Sequence, residues 1–224
     1  LYPPSGKVSV AHPTMRPIVT ILDWKLTTSM PPQLTSATGL DAICQAIESL
    51  WSVRSTKESR CYAMRGLKLG VRYLPDAVER RCPRARRAML NAAYLSGRAI
   101  SLSATTACHA MSYVLTQEYN IPHGHAVAMT LPQMLRLNAA VTPADCVDPR
   151  GHVHTHRMIE QITIALGAGT AHEAATKFES MMRRIGCPCG LSEYDIDHRD
   201  VARLTCAVDP QRLSNNPRRL DTAM

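Results

Sequence analysis

The sequence predicts a mainly α-helical domain preceded by a short β segment, and two observations carry that prediction. From Pro32 onward the apolar residues recur every three or four positions, the period of helices packed on one side. Before Pro32 the chain is rich in proline and β-branched residues, a composition suited to strands and a linker.

Val8-Ser9-Val10 and Ile18-Val19-Thr20-Ile21-Leu22 alternate or run apolar between Pro13, Pro17 and the Pro31-Pro32 pair. They read as the end of a sheet, so the chain divides into residues 1–30, a β remnant and linker, and residues 31–224, a helical domain. Over 38–51, Leu40, Ile43, Ile47, Leu50 and Trp51 mark the buried face of a helix, and Asp41, Gln45 and Glu48 form a carboxylate-bearing stripe opposite. A second helix is predicted over 59–74. A third covers 84–100, where Ala88, Ala92, Ala93 and Gly97 allow close packing. The fourth, over 105–119, puts His109, Ser112, Tyr113 and Thr116 on one side. Asn120-Ile121-Pro122 breaks it and places His123 on a turn before the next helix, over 124–137. Residues 141–156 read as irregular, and helices over 156–166, 171–185 and 199–208 complete the chain.

With 224 residues, 45% hydrophobic and 20% charged, the chain is long enough to bury a substantial core. No stretch approaches the ~18 uninterrupted apolar residues needed to span a bilayer, so no membrane partner is expected. The opening Leu1-Tyr2-Pro3-Pro4 has neither the basic start nor the apolar core of a secretory signal, and the chain reads as a piece of a longer protein. Eight cysteines without scaffold spacing suit reduced thiols and a cytoplasmic setting. The net charge of +8 is concentrated in Arg80, Arg81, Arg84, Arg86 and Arg87, with Arg218 and Arg219 near the end. These runs read as solvated faces. At 4% aromatic, with no stacking pattern or zinc-finger spacing, the chain gives little support to a nucleic-acid partner. A positive field also suits a small anionic substrate.

His152, His154 and His156, like Cys187-Pro188-Cys189, match neither a zinc finger nor a Cys-x-x-Cys pair. No Gly-x-Ser-x-Gly elbow supports acyl transfer. The informative constellation lies elsewhere. Asp41 and Gln45 project from adjacent turns of one helix face, and His109 and His123 follow fourteen positions apart. Taken singly, each is an ordinary polar residue. Together they look like four arms of one metal site, a donor set that suits Fe2+, Zn2+ or Mn2+ acting as a Lewis acid on a substrate oxygen.

Thr38-Gly39-Leu40-Asp41-Ala42, Ala46-Ile47-Glu48-Ser49, the His109 segment, Pro122-His123-Gly124-His125-Ala126, Leu131-Pro132 and Asn215-Asn216-Pro217-Arg218 resemble the iron-containing, group III alcohol dehydrogenases, in family order over nearly the whole chain. The resemblance implies a dehydroquinate synthase-like fold with a helical metal-binding domain, and NAD or NADP as hydride carrier for a small aldehyde or alcohol. It implies Asp41, His109 and His123 as metal ligands, with Gln45 standing where the family places a third histidine. A carboxamide is a harder, poorer donor than imidazole for Fe2+ or Zn2+. Tyr113 stands where the family often has another histidine beside the nicotinamide, which makes it a candidate catalytic residue. An ordinary phenol, with pKa ~10, is a poor base unless its surroundings lower it. Lys7 falls at the position of the family's ribose-contacting lysine, yet no glycine-rich phosphate loop occurs in the chain. Ser112-Tyr113 and Gln45-Ala46-Ile47-Glu48-Ser49 are most similar to reductases of phosphonoacetaldehyde. A phosphonate would be bound by forked arginine hydrogen bonds. The rival readings are a general alcohol or lactaldehyde dehydrogenase and a non-catalytic helical module; association into a homo-oligomer is left open.

Overall fold

Pro31-Pro32 opens the first long helix instead of ending the linker. Proline at the first helical position loses no hydrogen bond, and its fixed φ is already helical, so α1 runs Pro32–Trp51 and begins six residues ahead of the predicted start. The computed structural model describes residues 12–15, 17–197, 199–201, 204, 208 and 213–220. Among them follow α2 (Lys57–Glu79), α3 (Pro83–Ser103), α4 (Ala107–Tyr119), α5 (His123–Ala139), α6 (His152–Ala165) and α7 (Ala171–Arg184). Helix α2 is closed at its N-terminus by reciprocal bonds between Thr56 and Ser59 and continues through Pro75, past the predicted end. His123 is the first residue of α5, not part of a preceding turn, and α6 starts at His152, inside the stretch expected to be irregular.

Helix α1 is the centre of the bundle, packed against α2, α3, α5 and α6. Leu40, Ile43, Ile47, Leu50 and Trp51 are fully buried in the core, as predicted. The expected wet stripe opposite them is not wet, because Glu48 is fully buried and Asp41 and Gln45 are only partly exposed. Neighbours close over that face. Gly124 is what lets α5 approach: a Cβ there would sit 2.6 Å from the Asp41 Cβ and closer still to the Ala37 carbonyl oxygen.

No sheet forms among the described residues. Residues 18–22 are irregular, with Ile18, Val19 and Ile21 exposed, since β-forming residues make no strand without a neighbour to pair with. Val8-Ser9-Val10 lies outside the described residues, as does half of the helix predicted over 199–208.

The arginine run is not uniformly solvated. Buried Arg86 donates to the Thr27 and Met30 carbonyls and staples the 3-10 turn Trp24–Thr27 to α3. Arg84 bonds the Tyr73 hydroxyl, and Arg87 lies over the Trp24 ring. The Asn215-Asn216-Pro217-Arg218 string closes the bundle. Asn215 Nδ2 donates to the Ser103 and Thr105 carbonyls, Asn216 pairs reciprocally with Asn138, and Arg218 meets Asp145 at 2.7 Å. This tail therefore fixes the α3–α4 connection that leads into the His109 segment.

Candidate metal centre

Three helices converge on one point. Helix α1 supplies Asp41, α4 supplies His109 and α5 supplies His123, and one donor atom from each lies within 4.8 Å of the other two. Asp41 Oδ1 is 3.2 Å from His109 Nε2 and 4.0 Å from His123 Nε2. Donors around one tetrahedral ion with bonds of ~2.1 Å stand roughly 3.4 Å apart, so a small inward adjustment would let all three meet it. The residues fit a divalent ion by donor chemistry as well as by spacing. Among the described residues no other trio of His, Cys, Asp and Glu side chains does so.

Gln45 Nε2 donates to Asp41 Oδ2 at 2.8 Å, which turns Oδ1 toward the two imidazoles. Tyr113 stacks on the His123 ring, centroids 5.8 Å apart and planes 5° from parallel. Lys7 lies outside the described residues.

The residue that sequence reasoning misplaced is Glu48. Its buried Oε1 accepts from the backbone N–H of Thr106, Cys108 and His109 at 3.1, 2.9 and 3.3 Å, and from the Thr106 hydroxyl at 2.7 Å. These are the orphan donors at the start of α4, so a carboxylate from α1 caps another helix and meets the positive end of its dipole. The remaining oxygen, Oε2, accepts from His109 Nδ1. Burial by itself would raise the Glu48 carboxyl, but the charge and hydrogen bonds of His109, with help from Thr106, hold it below its ordinary value. Burial would likewise depress His109; Glu48 and Asp41 together override it and push the imidazole up to about 9. One signal could have exposed Glu48. It lies seven residues after Asp41, two turns along the same face, so a face that presents Asp41 to α4 also presents Glu48 to it.

Two other histidines take structural roles. His125 bonds the Pro188 carbonyl at 2.7 Å and the Tyr194 hydroxyl at 3.0 Å, pinning the Cys187-Pro188-Cys189 loop against α5. His156 bonds the Val141 carbonyl at 2.9 Å and its ring meets that of His152 edge-on.

Residues 35–223 match the model of the Fe-containing alcohol dehydrogenase family, C-terminal part. The chain belongs to that family. It is 40% identical over 220 residues to phosphonoacetaldehyde reductase of Streptomyces viridochromogenes, covering 96% of this chain and 54% of the relative. It is 35% identical over 217 residues to long-chain-alcohol dehydrogenase 1 of Geobacillus thermodenitrificans, covering 91% and 51%. Among solved structures, sulfoacetaldehyde reductase from Bifidobacterium kashiwanohense in complex with NAD+ superposes with a TM-score of 0.74 at 31% identity, covering 90% of this chain and 50% of that one. The chain thus spans about half the length of these relatives. A divalent metal and NAD are the cofactors of this iron-containing family, and Asp41, His109 and His123 form a donor set that matches the first of them. No helix among the described residues is long and apolar enough to cross a membrane.

Proposed function

We propose that this chain is the metal-binding half of a nicotinamide-dependent reductase that converts phosphonoacetaldehyde to 2-hydroxyethylphosphonate. The convergence of Asp41, His109 and His123 carries the reading, and the 40% identity to a phosphonoacetaldehyde reductase supports the choice of aldehyde. Asp41 Oδ1 and the Nε2 atoms of His109 and His123 would hold Fe2+ or Zn2+, with the Gln45 amide oxygen as fourth donor. When bound, the ion supplies Lewis-acid polarisation of an aldehyde oxygen.

The chain's own residues set up the rest. Glu48 holds the His109 ring in place, so the donor geometry exists before a substrate arrives. Asp41 contributes a negative charge between the two rings. Tyr113, half-buried beside His123, is placed to hold a water or pass the proton that the product hydroxyl requires. Lys7 is assigned to the cofactor ribose. Hydride comes from NADH or NADPH, whose nicotinamide must be held near contact distance of the carbonyl carbon. With no glycine-rich phosphate loop in its sequence, the 224-residue chain alone should bind metal well and turn over slowly.

Two measurements test this. Metal analysis of the purified chain should find about one ion per chain, and the His109→Ala, His123→Ala double variant should lose it; retention would refute the assignment. An aldehyde panel with the protein joined to its nucleotide-binding half should favour the phosphonate-bearing substrate. Equal rates with simple aldehydes would favour the second reading, a general alcohol dehydrogenase, which the 35% identity to a long-chain-alcohol dehydrogenase supports.

A further inference from the structure

Ser112 lies on α4 one turn after His109, is fully buried, and touches both histidines of the centre. Its hydroxyl oxygen is 2.8 Å from the His109 carbonyl oxygen and 3.3 Å from His123 Nδ1. Counting protons decides which group donates. Two oxygens 2.8 Å apart need a hydrogen between them, and a carbonyl has none to give, so the hydroxyl proton points at His109. A serine has only that one proton. What it presents to His123 is therefore a lone pair, and a bond there requires the hydrogen to sit on His123 Nδ1.

We propose that Ser112 is a positioning residue that selects the Nδ1–H tautomer of His123, so that the ring's Nε2 lone pair faces Asp41 Oδ1. A neutral imidazole carries its single N–H on either nitrogen, and only one choice offers a donor atom to an ion on the Asp41 side. Glu48 imposes the same choice on His109 through Nδ1, so both rings are oriented by acceptors behind them. The two arrangements differ in kind. Glu48 is charged and holds its ring with a strong bond, while Ser112 is neutral and relays its hold through the His109 backbone. One hydroxyl thereby ties the ring of one ligand to the main chain of the other, which fixes their separation as well as the tautomer.

The importance of this for the ion rests on the metal reading above; the tautomer assignment does not. The test uses the 224-residue chain with 15N-labelled histidine, read by two-bond 1H–15N correlation at alkaline pH, metal-free and zinc-loaded. In the unmodified metal-free chain, His123 should show the Nδ1–H pattern with a slowly exchanging proton. In Ser112→Ala it should move toward the Nε2–H form, zinc binding should weaken about ten- to a hundredfold, and the His109 signals should stay in place. An Nε2–H pattern at His123 in the unmodified chain would overturn the proposal, as would an unchanged tautomer in Ser112→Ala. A tautomer shift in a chain that binds no zinc at all would support the role of Ser112 and refute the metal reading.

Discussion

Replacing Glu48 separates its two tasks. In Glu48→Gln the amide oxygen can still accept from the N–H groups of Thr106, Cys108 and His109, so the start of α4 keeps a partner. The NH2 group, however, replaces the oxygen that faces His109 Nδ1. Two donors cannot face each other. His109 must give up its Nδ1 proton and keep only the one on Nε2, the nitrogen aimed at Asp41, or turn away. Glu48 is also the main attraction that lifts His109 to about 9 against burial, and without that charge burial dominates and the ring becomes neutral. Losing one partner of a buried pair costs about 3–5 kcal/mol when a charge is stranded, and His109 avoids that by shedding its proton, so about 2–3 kcal/mol is expected. Glu48→Leu strands at least three buried backbone donors at roughly 1–3 kcal/mol each, which rivals the whole stability of a domain. Urea denaturation should therefore give a lowered midpoint with unchanged slope for Glu48→Gln and no cooperative transition for Glu48→Leu. Zinc titration of Glu48→Gln, with both affinities corrected for the protons each chain releases, should show about ten- to a hundredfold weaker binding. A Glu48→Leu chain as stable as the parent would refute the capping argument, and parental zinc affinity in Glu48→Gln would refute the orienting one.

Four further outcomes follow from the geometry. Because metal-free His109 holds its second proton up to about 9, zinc binding near neutral pH should release close to one proton and strengthen about tenfold per unit of rising pH below that value; calorimetry in buffers of differing ionisation heat measures it. The raised value also means a stabilising contribution that is complete below about 6.5, the ordinary histidine value, and fades as pH climbs through about 9, visible as a falling denaturation midpoint of the metal-free chain. Gly124→Ala forces a methyl group against the Ala37 carbonyl and Asp41 Cβ, so α5 must retreat from α1: zinc binding should be lost with helical circular dichroism largely kept, and a stability loss of about 1–3 kcal/mol. Asp145, held down to about 2 by the Thr142 backbone N–H and Arg218, contributes stability that is present above about pH 4 and lost as the pH falls through 2; Arg218→Ala should flatten that acid dependence.

How much of this was legible in the sequence depended on what each residue was asked to reveal. Spacing of Leu40, Ile43, Ile47 and Leu50 marked α1 because a helix buries residues at its own period. The same rule mislaid Glu48, since it assigns polar residues to water, whereas this position of α1 is turned to α4, which needed an anion at its start. Pro31-Pro32 was read as the boundary of the β-like segment, with the first helix set at 38–51, yet proline at the first helical position begins one. Asp41, His109 and His123 were found through resemblance; their spacing in sequence says nothing of a meeting point that only the crossing of α1, α4 and α5 creates. Ser112 was placed on the correct helix side, but its role depends on a distance to His123 that no periodicity encodes.

The three side chains that converge at the candidate centre are unequally sheltered: His109 is 5% accessible, His123 32% and Asp41 26%. The centre thus has a back wall and a doorway. In this chain the open side is that of His123 and Asp41, so selectivity for one visitor over another would be written at that threshold, where residues can change without disturbing the wall behind.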